Sequence, residues 1–252
     1  VSAHGFGLDG RSVVVTGAGR GIGAACAVAC AAAGAERVTL LGRTRDALAA
    51  VAAEVEAHGG RAAVVPCDVT SADSIAEAFA GVERVDVLVN GAGANRPEPF
   101  TEVAASTFDA LFAVNVRGAF LAAQQAVRRM LALRTGGAIV TISSQMGHVG
   151  APGRTVYCAT KHAVEGMTKA LAVELAPFAI RAVTIAPTFV RTAMTAAQLD
   201  DPDVGPGLLA QIPLGRAGSV EEVAAAVVYA ASPAAALMTG SSLILDGGWT
   251  AR

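Results

Sequence analysis

Short, largely apolar runs rich in Val, Ile and Leu alternate along the chain with longer stretches whose apolar positions recur at helical spacing. The runs are Ser12-Val13-Val14-Val15-Thr16 and the segments 38–41, 62–65, 86–89, 138–142, 182–185 and 242–245. They are apolar almost throughout rather than alternating with polar residues, which predicts strands covered on both faces. Helices are predicted over 22–33, 46–57, 107–133, 156–175 and 220–231. Ser71-Ala72-Asp73-Ser74 and Ser219-Val220-Glu221-Glu222 carry helix-start signals, because a serine hydroxyl can accept from an amide of the first turn. Strand and helix in regular succession predict an α/β fold, a doubly wound parallel sheet of about seven strands with helices on both faces.

One segment breaks the regularity. Residues 188–218 contain Pro202, Pro206 and Pro213 with several glycines around a short helical run at 192–199. Long connections beyond the carboxyl ends of parallel strands are where ligands bind, so this segment is expected to act as a substrate lid. No linker or internal repeat divides residues 1–252, which are expected to form a single dinucleotide-binding and catalytic domain.

Composition narrows the function classes. The 252 residues are 53% hydrophobic with a formal net charge of −2, so no dominating field attracts nucleic acid or anionic lipid. The longest apolar run, 24–35, is roughly half of what a bilayer requires. Val1-Ser2-Ala3-His4-Gly5 lacks the basic and apolar regions of a secretory signal, and a cytoplasmic protein is expected. Cys26, Cys30, Cys67 and Cys158 show no CxxC or Cys/His ligand spacing, and they read as small buried hydrophobes. His4, His58, His148 and His162 are equally dispersed, and no metal is expected.

Candidate chemistry begins with the turn Gly17-Ala18-Gly19-Arg20-Gly21-Ile22-Gly23, which follows a predicted strand and opens a predicted helix. Glycines allow tight turning and close backbone approach, and a helix N-terminus favours an anion, so this context points to a nucleotide diphosphate. Far downstream, Tyr157 and Lys161 stand four apart on a predicted helix. Positions four apart share a face, so the ammonium is expected beneath the phenol, favouring its ionised form and making it a usable acid or base near neutral pH.

The spacing TGxxxGxG at 16–23, Asn90-Gly91-Ala92-Gly93 after the fourth strand, Asn115, Ser144 and Tyr157-Cys158-Ala159-Thr160-Lys161 resemble the short-chain dehydrogenase/reductase family of the classical type. The similarity runs over essentially the whole chain and is broadest to its 3-oxoacyl reductase and sugar or polyol dehydrogenase members. It implies a Rossmann-type fold and an oxidoreductase that interconverts a ketone and a secondary alcohol. Tyr157 would then be the general acid in carbonyl reduction and the general base in alcohol oxidation. Lys161 would lower the phenol's pKa and hold the cofactor ribose, and Ser144, rather than its neighbour Ser143, would stabilise the reacting oxygen. Asn115 would hold a water linking the lysine to solvent.

The same resemblance assigns the cofactor contacts. Gly17, Gly19, Arg20, Gly21, Ile22 and Gly23 would cradle the phosphates. Asn90, Gly91 and Ala92 would lie along the adenosine ribose, with Asn90 bracing the central strand. Asp68-Val69 would meet the adenine, unless Asp68 merely caps a following turn. Pro187, Val190 and Thr192 resemble the family's PGxxxT segment, which holds the nicotinamide carboxamide, although Thr188 replaces its usual glycine. At the end of the second strand Leu41-Gly42-Arg43-Thr44 offers no carboxylate for a ribose 2′-hydroxyl, whereas Arg43 and Arg20 can meet a 2′-phosphate. NADP(H) is therefore preferred, with NAD(H) the alternative.

Gln145, Met146, His148, Thr188, Phe189, Met194 and Trp249 are candidates to line the substrate pocket with Ser144 and Tyr157. The expected partner is a small carbonyl or alcohol substrate, with neither nucleic acid nor membrane, and the family resemblance implies a homo-tetramer built through helices 107–133 and 156–175 at one interface and the C-terminal region at another. The rival readings are an NAD(H)-dependent polyol dehydrogenase, an epimerase-like relative with a longer C-terminal domain, and a non-catalytic nucleotide-binding protein. The intact Ser/Tyr/Lys/Asn set argues against the last.

Overall fold

The computed structural model describes residues 5–251, so the reading of the first four residues, His4 included, lies outside the described residues. In chain order the elements are β1 (Ser12–Thr16), α1 (Gly21–Ala32), β2 (Arg37–Gly42), α2 (Arg45–Ala57), β3 (Arg61–Pro66), α3 (Ala72–Ala80) and β4 (Val87–Asn90). They continue with α4 (Ala105–Phe112), α5 (Ala119–Leu133), β5 (Gly137–Ile142), α6 (Thr155–Leu175), β6 (Ile180–Pro187), α7 (Ala196–Leu199), α8 (Gly205–Leu209), α9 (Val220–Ala231) and β7 (Ser242–Leu245). The described strands form one seven-stranded sheet, ordered β3-β2-β1-β4-β5-β6-β7, with every pairing parallel.

Strand order reverses between β1 and β4, and the crevice beyond their carboxyl ends is where ligands bind in open parallel sheets. Thr16 closes β1 directly opposite Asn90 of β4. The Thr16 hydroxyl accepts from the amides of Gly91 and Ala92, each at 3.2 Å, which ties the rim of one strand to the loop of the next.

Both faces of the sheet are covered, as the apolar runs predicted. On one face Val13, Val15, Leu40 and Val140 pack with Cys26 and Cys30 of α1, Leu48 and Val55 of α2, and Val223 and Val227 of α9. On the other, Val14, Leu88 and Ile139 meet Ile75 and Phe79 of α3, Ala122, Ala126 and Met130 of α5, and Ala172 of α6. Full burial of each such Leu or Ile is worth about 1.5–3 kcal/mol. All four cysteines are free and buried, and burial pushes the Cys30 thiol up to about 12. Among the described residues no helix is long and apolar enough to cross a membrane.

The serine start signals act as expected. Ser71 accepts from the Ser74 amide, and Ser219 forms a full capping box with Glu222. Three expectations need correction. The fourth strand runs Val87–Asn90 rather than 86–89 because Asp86 turns inward, where it accepts from the Ser12 amide at 2.8 Å. Stretch 107–133 is helical throughout but not uniformly α: a π-turn at Ala113–Gly118 that contains Asn115 lies between α4 and α5. The run 192–199 is helical only at α7, because the Thr195 side chain accepts from the Thr192 amide at 3.0 Å and holds the preceding residues in a turn. Helix α8 within the same segment went unanticipated.

Candidate active site

The glycine turn after β1 is shaped by close backbone approach. Gly17 has φ +68°, and a Cβ there would lie 2.8 Å from the Ala92 backbone; a Cβ on Gly23 would lie 2.3 Å from the Gly17 carbonyl oxygen. Only glycine permits this contact between the turn, the start of α1 and the loop after β4. Arg20 is the N-cap of α1 but gives no side-chain cap, and the first turn has no acidic residue. The leading amides around Gly21, Ile22 and Gly23 are therefore left to an anion. Gly19 packs against Ala47 and Leu48 of α2.

At the rim, Arg20 and Arg43 are exposed, and neither forms an ion pair with a described residue. Asp68 accepts from the Thr70 amide at 2.9 Å and from its hydroxyl at 2.8 Å through one oxygen. These bonds, with a smaller contribution from Arg43, hold its carboxyl below the usual range. One Asp68 oxygen thus caps the following turn. Val69 lies against the π-turn, since a Cβ on Gly118 would meet the Val69 carbonyl oxygen at 2.8 Å. Asn90 donates to the Ala119 carbonyl at 3.1 Å and so braces β4 against α5, while its Oδ1 is buried with no partner.

Tyr157 and Lys161 do share a face of α6, with the Lys161 ammonium 5.5 Å from the phenol ring centroid. The expected electrostatics differ, however. Lys161 is buried and donates to the Ile142 carbonyl at 2.9 Å. Burial pulls its pKa down to about 8, opposed by the Glu165 carboxylate one turn further on. Burial also raises the Tyr157 phenol from its usual value, opposed by the Ser144 hydroxyl and the Arg154 guanidinium. The lysine is committed to a carbonyl, and burial raises the phenol's pKa where the sequence suggested a fall.

Asn115 explains the π-turn. Its Oδ1 accepts from the Ala94 amide at 2.8 Å, and its Nδ2 donates to the Ala94 carbonyl at 2.8 Å and to the Thr160 hydroxyl at 3.1 Å. A π-turn inserts an extra residue into a helix and re-aims the side chains that follow, and here it fastens the loop after β4 to α6. A Cβ on Gly93 would lie 3.6 Å from Asn115 Oδ1 and 3.9 Å from Lys161 Nζ, so the asparagine and the lysine flank one point.

Ser144 follows β5. Its hydroxyl accepts from the Met146 amide at 3.1 Å and donates to the buried Gln145 at 3.1 Å. The Ser143 hydroxyl is buried without a partner. Met146, Tyr157 and Phe189 belong to one apolar cluster with Cys158, Leu199 and Trp249, and the Phe189 and Trp249 rings are 5.9 Å apart. Pro187 ends β6, and the Thr188 hydroxyl beyond it is buried and unpartnered. Val190 bridges to Gly218, and Thr192 packs within 3.6 Å of a Cβ built on Gly21, so the base of the 188–218 segment lies against the glycine turn. Met194 is exposed, away from the cluster.

His148 turns away from this cluster. Its Nε2 lies 3.1 Å from the Ser242 hydroxyl and 3.3 Å from Glu165, which also accepts from Thr184 at 2.9 Å. Glu165 escaped the sequence reading, although its place four residues after Lys161 could have flagged it. Arg154, three residues before Tyr157, escaped likewise. Asp246, just after β7, accepts from the Gly248 and Thr250 amides.

The residues fit a dinucleotide. A bare glycine cradle and an uncapped helix start suit its phosphates, unpaired arginines stand at the rim, and an orphan Thr188 hydroxyl lies near the far end. An open apolar hollow of about 530 Å³ lies elsewhere, lined by Phe112, Val116 and Phe120 with Met167 of α6. None of the Ser144, Tyr157 or Lys161 side chains lines it. Among the described residues no group of three His, Cys, Asp or Glu side chains could hold a metal ion.

A family model described as enoyl-(acyl carrier protein) reductase matches residues 17–250. The D-threitol dehydrogenase of Mycolicibacterium smegmatis is 39% identical over 251 residues, covering 98% of this chain and 95% of that protein. The L-xylulose reductase of Bos taurus is 38% identical over 244 residues, covering 97% and 98%. Among solved structures, a gluconate 5-dehydrogenase from Burkholderia cenocepacia in complex with NADP and tartrate superposes with a TM-score of 0.93 at 34% identity, covering 99% and 98%.

Proposed function

The chain belongs to the short-chain dehydrogenase/reductase family and is an NAD(P)-dependent oxidoreductase acting on CH–OH and C=O groups, and from that premise we propose that it interconverts a ketone and a secondary alcohol of a sugar or polyol, preferring NADP(H). The observation that carries this reading is the convergence of Tyr157, Lys161 and Ser144 at the carboxyl end of β5. When bound, the nicotinamide cofactor supplies or accepts the hydride, leaving placement and proton management to the protein.

Tyr157 Oη gives a proton to the substrate oxygen in reduction and removes it in oxidation. The Ser144 hydroxyl donates to the same oxygen and stabilises charge developing there. Lys161 holds the ribose and supports the phenolate, and Asn115 keeps a water path open beside it. The amides of Gly19, Arg20, Gly21, Ile22 and Gly23 bind the diphosphate, with Gly17 leaving room. Arg43 and Arg20 take the 2′-phosphate, and the absence of a close ion pair for either among the described residues supports NADP(H) over NAD(H). Asp68 and Val69 contact adenine, Asn90, Gly91 and Ala92 the adjoining ribose, and Pro187, Val190 and Thr192 the carboxamide. Gln145, Met146, Thr188 and Phe189 shape the substrate pocket, over which 188–218 closes as a lid. The apolar hollow around Phe112 and Phe120 supports assembly into a homo-tetramer through α4, α5 and α6, and the protein acts in the cytoplasm.

Reduction of a ketose panel, followed through the absorbance of reduced nicotinamide with both cofactors, tests the reading. Tyr157→Phe is expected to lower kcat by about 10²–10⁴-fold with nucleotide affinity nearly intact. Wild-type kcat in that variant would refute the acid/base assignment. Arg43→Asp should move the NADP/NAD ratio of kcat/KM toward NAD by about tenfold or more, and an unchanged ratio would remove Arg43 from the phosphate site.

A further inference from the structure

Beside the apolar cluster that includes Tyr157 stands a cation with no ion pair among the described residues. Arg154 occupies the N-cap of α6, three residues before Tyr157, and its side chain is half-buried. Its side-chain hydrogen bond among the described residues goes to Gln198 Oε1 of α7 at 3.4 Å, a long contact to a neutral amide. A guanidinium carries five donors, so most of this fork is unspent. No carboxylate of the described residues lies within ion-pair distance of it. The adjoining loop does bring an acid close: the Glu98 amide donates to the Gly153 carbonyl at 3.0 Å, but the Glu98 carboxylate pairs with Arg96 at 2.7 Å.

The surroundings favour a ligand over solvent as the missing partner. Ala151 and Tyr157, which flank Arg154 in sequence, and Leu199, which follows Gln198, belong to the apolar cluster with Met146, Phe189 and Trp249. Burial lowers the Arg154 pKa and its charge acts on the Tyr157 phenol, so the two groups stand close enough to interact. A charge partly withdrawn from water without a partner is costly, and a carboxylate arriving with the substrate would offset that cost through a bidentate, charge-assisted pair.

We infer that Arg154 is an anion subsite of the carbonyl pocket and that the substrate class is a sugar-derived keto acid, its carboxylate on the Arg154 fork while its ketone meets Tyr157. The inference rests on the carbonyl site proposed above. Gln198 then serves as a neutral placeholder on the lid that yields the guanidinium when the acid enters.

The test compares 5-ketogluconate with L-sorbose, six-carbon ketones with the same local carbonyl environment that differ by carboxylate against hydroxymethyl at the far end. The wild-type kcat/KM should favour 5-ketogluconate by about tenfold or more, a charge-assisted pair being worth at least that. Added salt should shrink the preference. Arg154→Gln should collapse the ratio, chiefly through KM for the acid, and Arg154→Lys should restore part of it. Melting temperature and cofactor binding of the variants serve as folding controls. An unchanged ratio in a folded Arg154→Gln variant overturns the subsite. Reduction of L-sorbose as efficiently as the acid by the wild type overturns it too, while leaving the Tyr157 reading intact. If neither ketone is reduced with either cofactor, both readings fail together.

Discussion

The turn after β1 is shaped by what its residues lack, whereas the bend after β5 is held by what its neighbours carry. In the first, Gly17 and Gly23 let backbone meet backbone at distances no side chain tolerates, and the uncapped α1 start leaves amides to a ligand. In the second, Ser144 is fixed through Met146 and Gln145. The following His148 is tied to Ser242 of β7 and Glu165 of α6. The contrast teaches that the nucleotide end tolerates almost no added volume. The catalytic end tolerates volume better but depends on charge and hydrogen bonding drawn from elements far apart in the chain.

The largest test of that contrast is Gly23→Ala. A Cβ 2.3 Å from the Gly17 carbonyl must displace backbone on both sides. A loss of about 3 kcal/mol or more in urea unfolding is expected, with nucleotide binding lost as well. A variant as stable as the wild type would break the comparison. Next comes Asn115→Leu, which fits the space but removes the bonds to Ala94 and Thr160. About 2–3 kcal/mol of stability should go with it, together with faster amide exchange at Ala94 and a lower kcat, while nucleotide affinity holds. Equal losses of affinity and kcat would show that the two ends are not separable.

Glu165→Gln is the smallest and sharpest. The carboxylate opposes desolvation and helps Lys161 keep its proton up to about pH 8. Glutamine removes that support, so Lys161 deprotonates at lower pH and the alkaline limb of kcat should move down by about half a pH unit. The acid limb should stay in place, and Glu165→Asp should restore part of the shift. An unmoved alkaline limb would detach Glu165 from the proton relay.

Much of this was legible along the chain. The apolar runs located all seven described strands within a residue or two at either end. The glycine turn declared the crevice, because tight turning and helix initiation are properties of adjacent residues. Tyr157 and Lys161 were correctly placed on one face because helical spacing alone puts positions four apart together. The direction of the phenol's shift was not legible, since it depends on burial, opposed by the Ser144 hydroxyl and the Arg154 guanidinium.

The sequence by itself therefore determined the order of strands and helices, the backbone-built cradle and the register of the tyrosine and lysine, because each follows from periodicity or sterics within a few residues. Tertiary structure decided the π-turn that aims Asn115 at Ala94, the tie from His148 to Ser242 across 94 positions, and the solitary charge of Arg154 opposite Gln198. Those contacts form only when parallel crossovers bring remote strand ends to one rim, and the energy of a buried charge or amide is set by whatever the fold places beside it.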